Sequence, residues 1–254
     1  MPWGKYRTYP PLTNTATGFG KTNLGKTTIE CTFLGTETKW GSLEGQPAGI
    51  LCLHLNFQEH PDYNLKHTTI DIAFLGDADS KKPQVTEHVT PKIMYGLPRE
   101  ITAEVIHRLT PEIGAQGFSI GGVGVEWTSN RTDNYRWRFK GDRTADDDLN
   151  LTQVQWIWEA NPLEPQACEL GSVYMGLIVA LEGNCHQKFS VGLRIEGKLR
   201  WKAKRGDPRQ LLRFSSSTPI IRDVHPVSGT TNLRQDADGL HERIKNKNGL
   251  TGSQ

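Results

Sequence analysis

An antiparallel two-sheet β-sandwich of jelly-roll or C2 type, with one short helix after its last strand, is the fold class this sequence predicts. Three observations carry it. Apolar residues recur at every second position in many separate stretches, which puts them on one face of a pleated strand. The stretches are short and bounded by turn residues, with Gly 26 and Pro 14 in a chain of 254, so hairpin-length connections join them rather than crossover helices. Helical patterning is nearly absent until late in the chain. A single β domain of this size is common, and it buries roughly 70–75% of the surface that its unfolded form exposes, enough for a core without staples.

Taken in order, residues 1–25 read as an extended, polar N-terminal arm and residues 26–214 as the sandwich. Ile29, Cys31 and Phe33 alternate first. Leu51, Leu53, Leu55 and Phe57 follow, then Ile70, Ile72 and Phe74, with His60-Pro61-Asp62-Tyr63-Asn64 as the turn of a hairpin between them. Val123, Val125 and Trp127, then Tyr135, Trp137 and Phe139, then Val154, Trp156 and Trp158 mark three more strands. Residues 173–181 are apolar on both faces, which suits a central strand covered on both sides. The longest alternation runs from Phe189 to Trp201. Asp207-Pro208-Arg209-Gln210 supplies an N-cap, a first-turn proline and a Gln three residues after the cap, so the short helix is expected there. Residues 215–254 lose apolar density, keep only Leu240 and Ile244 at i,i+4, and read as a flexible C-terminal tail.

Composition excludes several classes. Lys+Arg 30 against Asp+Glu 28 leaves a net charge of +2, too small to imply a partner by itself. No stretch of 18 uninterrupted apolar residues occurs, so no helical membrane span is expected. Cys31, Cys52, Cys168 and Cys185 are scattered without CxxC spacing, a pattern of free thiols in a reducing compartment. The first residues contain no apolar run after their charges, so no secretory segment is expected, and the chain reads as cytoplasmic.

Six features are candidate sites. Gly20 to Thr27 matches the phosphate-loop pattern G-x-x-x-x-G-K-T to the letter, but polar residues precede it and a strand follows. The motif works only between a buried strand and a helix N-terminus, so no nucleotide is expected. The loop Asp142 to Asp148, joined by Asp77 and Asp79, offers carboxylates for calcium but lacks an Asp-x-Asp-x-Asp-Gly frame, and reads as a solvated turn. His54, His60 and His67 lack paired metal-ligand spacing, and Glu126 and Glu159 form a carboxylate pair only if the fold unites them. The tryptophans read as core filling. Last, Arg194, Lys198, Arg200, Lys202 and Lys204 stand on the polar face of one strand, about 6.5–7 Å apart, a spacing that can track an anionic partner.

The segments Trp137-Arg138-Phe139-Lys140-Gly141 and Trp156-Ile157-Trp158-Glu159-Ala160-Asn161-Pro162, with the apolar strand near Leu177 and Phe189-Ser190-Val191, resemble a group of uncharacterised filamentous-fungal proteins. There a tryptophan strand ending in Lys-Gly, a polar loop and a Trp-x-x-x-Glu-Asn segment recur; here Ala160 separates Glu159 from Asn161. The resemblance covers the central and C-terminal half of the domain. It implies an all-β intracellular protein and supplies no catalytic residues.

The expected function is therefore a non-enzymatic intracellular β-sandwich for interaction or scaffolding, with a protein partner and no cofactor or metal. One alternative is a peripheral binder of anionic lipid or nucleic acid through the basic strand. Another is an enzyme with a Trp-lined pocket between the sheets.

Overall fold

The computed structural model describes residues 7–8, 11–12, 16–24, 26–76, 81–96, 99–109, 125–160, 171–182, 188–201, 211–215, 220–227 and 231–249. For 7–8, 16–17, 24, 99–109, 125–135, 201 and 211–215 it describes the backbone alone. Contacts divide the chain into two compact units, residues 1–96 with 137–254, and residues 97–136.

In chain order the strands begin with β1 (Arg7–Thr8), β2 (Ala16–Leu24), β3 (Thr27–Leu34), β4 (Lys39–Leu43) and β5 (Gln46–Gln58). Next come β6 (Tyr63–Gly76), β7 (Gln84–Thr90), β8 (Ile93–Tyr95), β9 (Arg99–Leu109) and β10 (Val125–Tyr135). They continue with β11 (Arg138–Thr144), β12 (Gln153–Glu159), β13 (Ser172–Ala180), β14 (Phe189–Trp201), β15 (Leu211–Ser215) and β16 (Ile220–Val224). Two helices, α1 (Arg234–Asp238) and α2 (Leu240–Lys247), follow the last strand.

The larger unit is the expected two-sheet sandwich. One sheet has the order β1-β16-β14-β6-β12-β11-β8, with β15 also on β14; the other has the order β2-β3-β5-β13-β7, with β4 on β5. The strands pair antiparallel except β1 with β16. Their alternation is the one read from sequence: β3 and β12 are buried at every second residue. The inner faces meet in a core that includes Ile29, Leu55, Ile70, Ile72, Trp156, Met175 and Leu193. Trp156 and Trp158 are 0% and 1% exposed, which settles them as core filling, and Trp137 packs half-buried against the same core.

Both ends of the sandwich extend beyond the boundaries expected from sequence. The arm proposed for residues 1–25 contains β2, which pairs with β3 and buries Phe19. The tail proposed from residue 215 contains β16 and both helices. Leu233, Ala237, Leu240 and Ile244 form a second apolar cluster with Ala48, Ile50, Cys52 and Ile178, residues on the face of β5 and β13 that points away from the first core. Gly176 lets α2 approach closely, since a Cβ there would stand 3.0 Å from Leu240 and 3.3 Å from Ile244. Ion pairs Lys39–Asp236 and Lys247–Glu37 flank the helices, and the Asn248 amide closes the end, accepting from Tyr174 N–H at 2.8 Å and donating to Tyr174 O at 3.0 Å. The helix expected near Asp207 lies outside the described residues.

The hairpin expected between residues 51–57 and 70–74 is also corrected. β5 belongs to one sheet and β6 to the other, so residues 59–62 carry the chain between sheets. Glu59 accepts the Leu65 amide at 3.0 Å, and His60 Nδ1 accepts the Asp62 amide at 3.2 Å, so side chains of the crossing segment satisfy two backbone donors at the turn into β6.

The docked helices give a stability test. Leu240→Ala and Ile244→Ala should each cost roughly 2–5 kcal/mol, as expected for emptying a fully buried apolar site. Urea unfolding reads this as a lower midpoint; unchanged midpoints would mean that α2 does not cover the sheet in solution.

Candidate functional site

The basic strand is the first candidate. β14 is interior to its sheet, with β6 on one side and β15 and β16 on the other. Its odd positions face the core, so Arg194, Glu196, Lys198 and Arg200 share the outer face. They do not form one free row. Arg194 holds Asp71 through Nε at 3.1 Å and Nη2 at 2.9 Å, while the other Asp71 oxygen accepts the Gln155 amide at 2.7 Å. Asp71 is 7% exposed, so this ion pair ties three strands together and Arg194 is withdrawn as an anion contact. Lys202 and Lys204 lie outside the described residues. Lys198 and Arg200 remain, neither with an ion-pair partner among the described residues.

The other candidates disperse. The Gly20 to Thr27 match falls on the β2–β3 hairpin, with Gly20 to Leu24 in β2, Thr27 in β3, and Leu24 in register with Thr27. Thr27 is fully buried, and Lys26 lies 3.9 Å from Asp62. No helix follows. His54 stacks on Tyr174 on β13, His60 sits in the crossing segment, and His67 is on β6 in the opposite sheet. Burial pushes the His54 pKa down, with Lys247 adding to the shift and Glu30 opposing it. Glu159 on β12 is bound by Arg138 on β11, through Nε at 2.9 Å and through Nη2. Glu126 belongs to β10 in the other unit. Among the described residues no three His, Cys, Asp or Glu side chains gather as a metal site.

The acidic loop is organised around Asp146 rather than around a cation site. Asp146 accepts the amides of Asp148 at 3.1 Å and Asn150 at 2.9 Å and the Thr152 hydroxyl at 3.1 Å, and Lys82 reaches it at 2.8 Å. Lys82 also stands 3.6 Å from Asp148, so its ammonium bridges two of the loop's carboxylates. Asp77 and Asp79 lie outside the described residues. Between the sheets a cavity of about 10 Å³ is lined by Leu12, Phe19, Phe33, Leu51, Leu53, Ile72, Phe74, Leu177 and Val191. It is wholly apolar, contains none of the tryptophans, and presents no group able to do chemistry.

The smaller unit supplies a strand that sequence reading missed, β9, while β10 holds Val125 and Trp127 of the strand expected there. β9 and β10 form a two-stranded ribbon, and among the described residues they pair only with each other. The register is unbroken from Val125↔Leu109 to Tyr135↔Arg99. Residues in register across an antiparallel pair share a face, so Ala103, Val105, His107 and Leu109 share theirs with Arg131, Ser129, Trp127 and Val125. The opposite face takes Thr102, Glu104, Ile106 and Arg108 with Thr132, Asn130, Thr128 and Glu126. One face is mainly apolar toward the distal end and the other mainly polar. The signal was present as period-2 alternation in residues 101–109, but it is diluted by His107 and by Arg131 and Asp133 on the partner strand.

No family model and no curated protein matches the chain. Among solved structures it is similar to a "Pore forming protein" at 10% identity and TM-score 0.35, covering 82% of this chain and 89% of that one. It is also similar to Clostridium perfringens delta-toxin at 11% identity and TM-score 0.26, covering 84% and 92%. Likenesses this slight assign neither family nor activity.

The Asp146 hub has a pH signature. Burial raises its pKa, but Lys82, the Asn150 amide and the Thr152 hydroxyl outweigh that and hold it at about 2, below the ordinary 3.8. Its folded pKa is depressed, so its stabilisation is full above pH 3.8 and fades as pH falls toward 2. Asp146→Asn should lower stability at neutral pH and flatten the loss between pH 4 and 2, followed by urea midpoints. An unaltered acid profile would contradict the assignment.

Proposed function

We propose that this chain acts without covalent chemistry: the sandwich carries the β9–β10 ribbon to a lipid bilayer, where ribbons from several copies close into a β-barrel. The observation that carries this reading is the ribbon itself. Each strand has 11 residues, and a membrane-crossing strand needs about 9–11. Apolar residues alternate with polar ones, the pattern by which a barrel strand faces lipid on one side and water on the other. The connecting residues 110–124 continue the apolar supply, with Ile113, Phe118, Ile120 and Val123 against the single charge of Glu112.

The physics of hydrocarbon requires several copies. A lone ribbon has two open edges whose backbone N–H and C=O groups would be unsatisfied in lipid, so only a closed ring of ribbons can cross. Among the described residues no helix is long and apolar enough to cross a membrane, and a strand-built crossing needs none. Toward the base the mainly apolar face acquires Arg99, Arg131 and Asp133, so the lipid-facing part is the distal two-thirds. Interaction with another protein's strand is the alternative use of the same open edges.

Dye release from phosphatidylcholine vesicles separates the two. The intact protein should release dye with a steep concentration dependence. Val105→Asp and Leu109→Asp should each reduce release at least about tenfold, given the cost of a charge at a lipid-facing barrel position. Thr102→Asp and Thr128→Asp on the polar face should change it little. Equal release by all four variants, or none by the unaltered chain, overturns the membrane reading; a stable protein complex formed through residues 99–135 without release would establish the interaction reading instead.

A further inference from the structure

Beyond the ribbon, the outer face of the eight-stranded sheet changes character along β14. At Arg194 the charge is neutralised by Asp71. Two steps on, Glu196 stands 3.9 Å from Arg194 and opposite Thr69. Lys198 pairs in register with His67, and there the ladder slips: the next pair is Leu199 with Leu65. Lys66 is left over as the extra residue of a bulge. A bulge sets two residues of one strand against one of its partner and re-aims a side chain.

Burial records the re-aiming. Leu65 and Thr68 are 1% and 0% exposed, while Lys66 and His67 between them are both half-buried. Strict alternation from Thr68 would have sent His67 outward and Lys66 into the core. The bulge keeps both outward and adjacent, with His67 opposite Lys198 and Asn64, two residues before Lys66, opposite Arg200. Burial holds the Lys66 pKa down and Arg200 adds to it, with Glu59 opposing; burial and Lys198 do the same at His67, with Glu159 opposing. Each strand's cations are thus close enough to feel the other's. Glu159 is engaged by Arg138, and Glu59 accepts the Leu65 amide. On the far side of β14, Arg213 occupies the register position opposite Lys198.

We propose that the β6 bulge and β14 together build a site for a phosphate-bearing anion, with Lys66, Lys198 and Arg200 as charged contacts and His67 as a ring N–H donor. Adjacent strands lie about 4.8 Å apart, so cations on both can reach different oxygens of one phosphate. The Arg200 guanidinium offers a planar fork that matches two of them. A carboxylate would leave part of this charge unanswered. The inference is independent of the ribbon, since it concerns a different face and needs no membrane crossing.

The test uses the intact chain, two probes and three variants. Binding of inorganic pyrophosphate is measured by calorimetry, and binding to vesicles by cosedimentation, with phosphatidylcholine alone or mixed with phosphatidic acid. Lys66→Gln and Arg200→Gln should each weaken binding by about tenfold, the usual loss of a hydrogen bond to a charged group, at an unchanged melting temperature. Lys140→Gln is the control, on the same sheet but 3.8 Å from Asp142, and should bind as the unaltered chain does. Gain from phosphatidic acid without pyrophosphate binding identifies a lipid headgroup; binding of both identifies the phosphate group itself. Absence of both, or equal binding by folded Lys66→Gln and Arg200→Gln, overturns the site. Association with phosphatidylcholine alone belongs to the ribbon and should be unaffected by these variants, so either reading can fail without the other.

Discussion

Strands β5 and β13 are apolar on both faces, and the larger unit is arranged to keep water from both. Their inner face is covered by the eight-stranded sheet, through residues such as Ile70, Ile72 and Leu193. Their outer face is covered by α1 and α2. Neither helix is long enough to be stable alone, since isolated helices shorter than about 12–15 residues are marginal in water. Their stability comes from the sheet, and the sheet's outer face stays dry because of them. This dependence brings the C-terminal segment back across the structure and explains the small residue at position 176.

Charge is handled in two ways on the surfaces that remain. Arg194, Asp71 and Gln155 satisfy one another across β14, β6 and β12, and Asp146 satisfies Lys82 and the turn amides around it. Such groups fix register and loop shape, and their removal would leave an uncompensated partner behind. At the β6 bulge the balance differs. Cations from two strands meet there, Lys66 and His67 on one and Lys198 on the other, and the proposed anion site is built on that meeting.

The alternating strands were legible because burial on one face imposes its period directly on the sequence. β3, β5, β6, β12 and β14 all fall on such alternating stretches. What failed was every feature that depends on a distant partner. β2 is polar in its described side chains, of which only Phe19 is buried. Leu240 and Ile244 look too sparse for a helix until the outer face of β13 is placed beneath them. The apolar residues on both faces of 173–181 did announce that a second cover was needed, without saying which segment supplied it. The basic row illustrates the same limit: spacing along β14 was readable, but the Asp71 partner of Arg194 and the slip that brings Lys66 alongside His67 are cross-strand facts.

The ribbon is a unit separate from the sandwich. Its strands leave and rejoin the sandwich at Gly96 and Trp137, whose backbones are joined by a hydrogen bond of 3.0 Å from Gly96 N–H to Trp137 O. That closure makes the account directly testable. Residues 97–136 can be replaced by an Asn-Gly turn, which favours a tight hairpin, and dye release measured on the product with its thermal unfolding followed in the same sample. The account predicts a body that unfolds cooperatively at the midpoint of the full chain and releases no dye. A shortened protein that fails to fold, or one that folds and still releases dye, would contradict it.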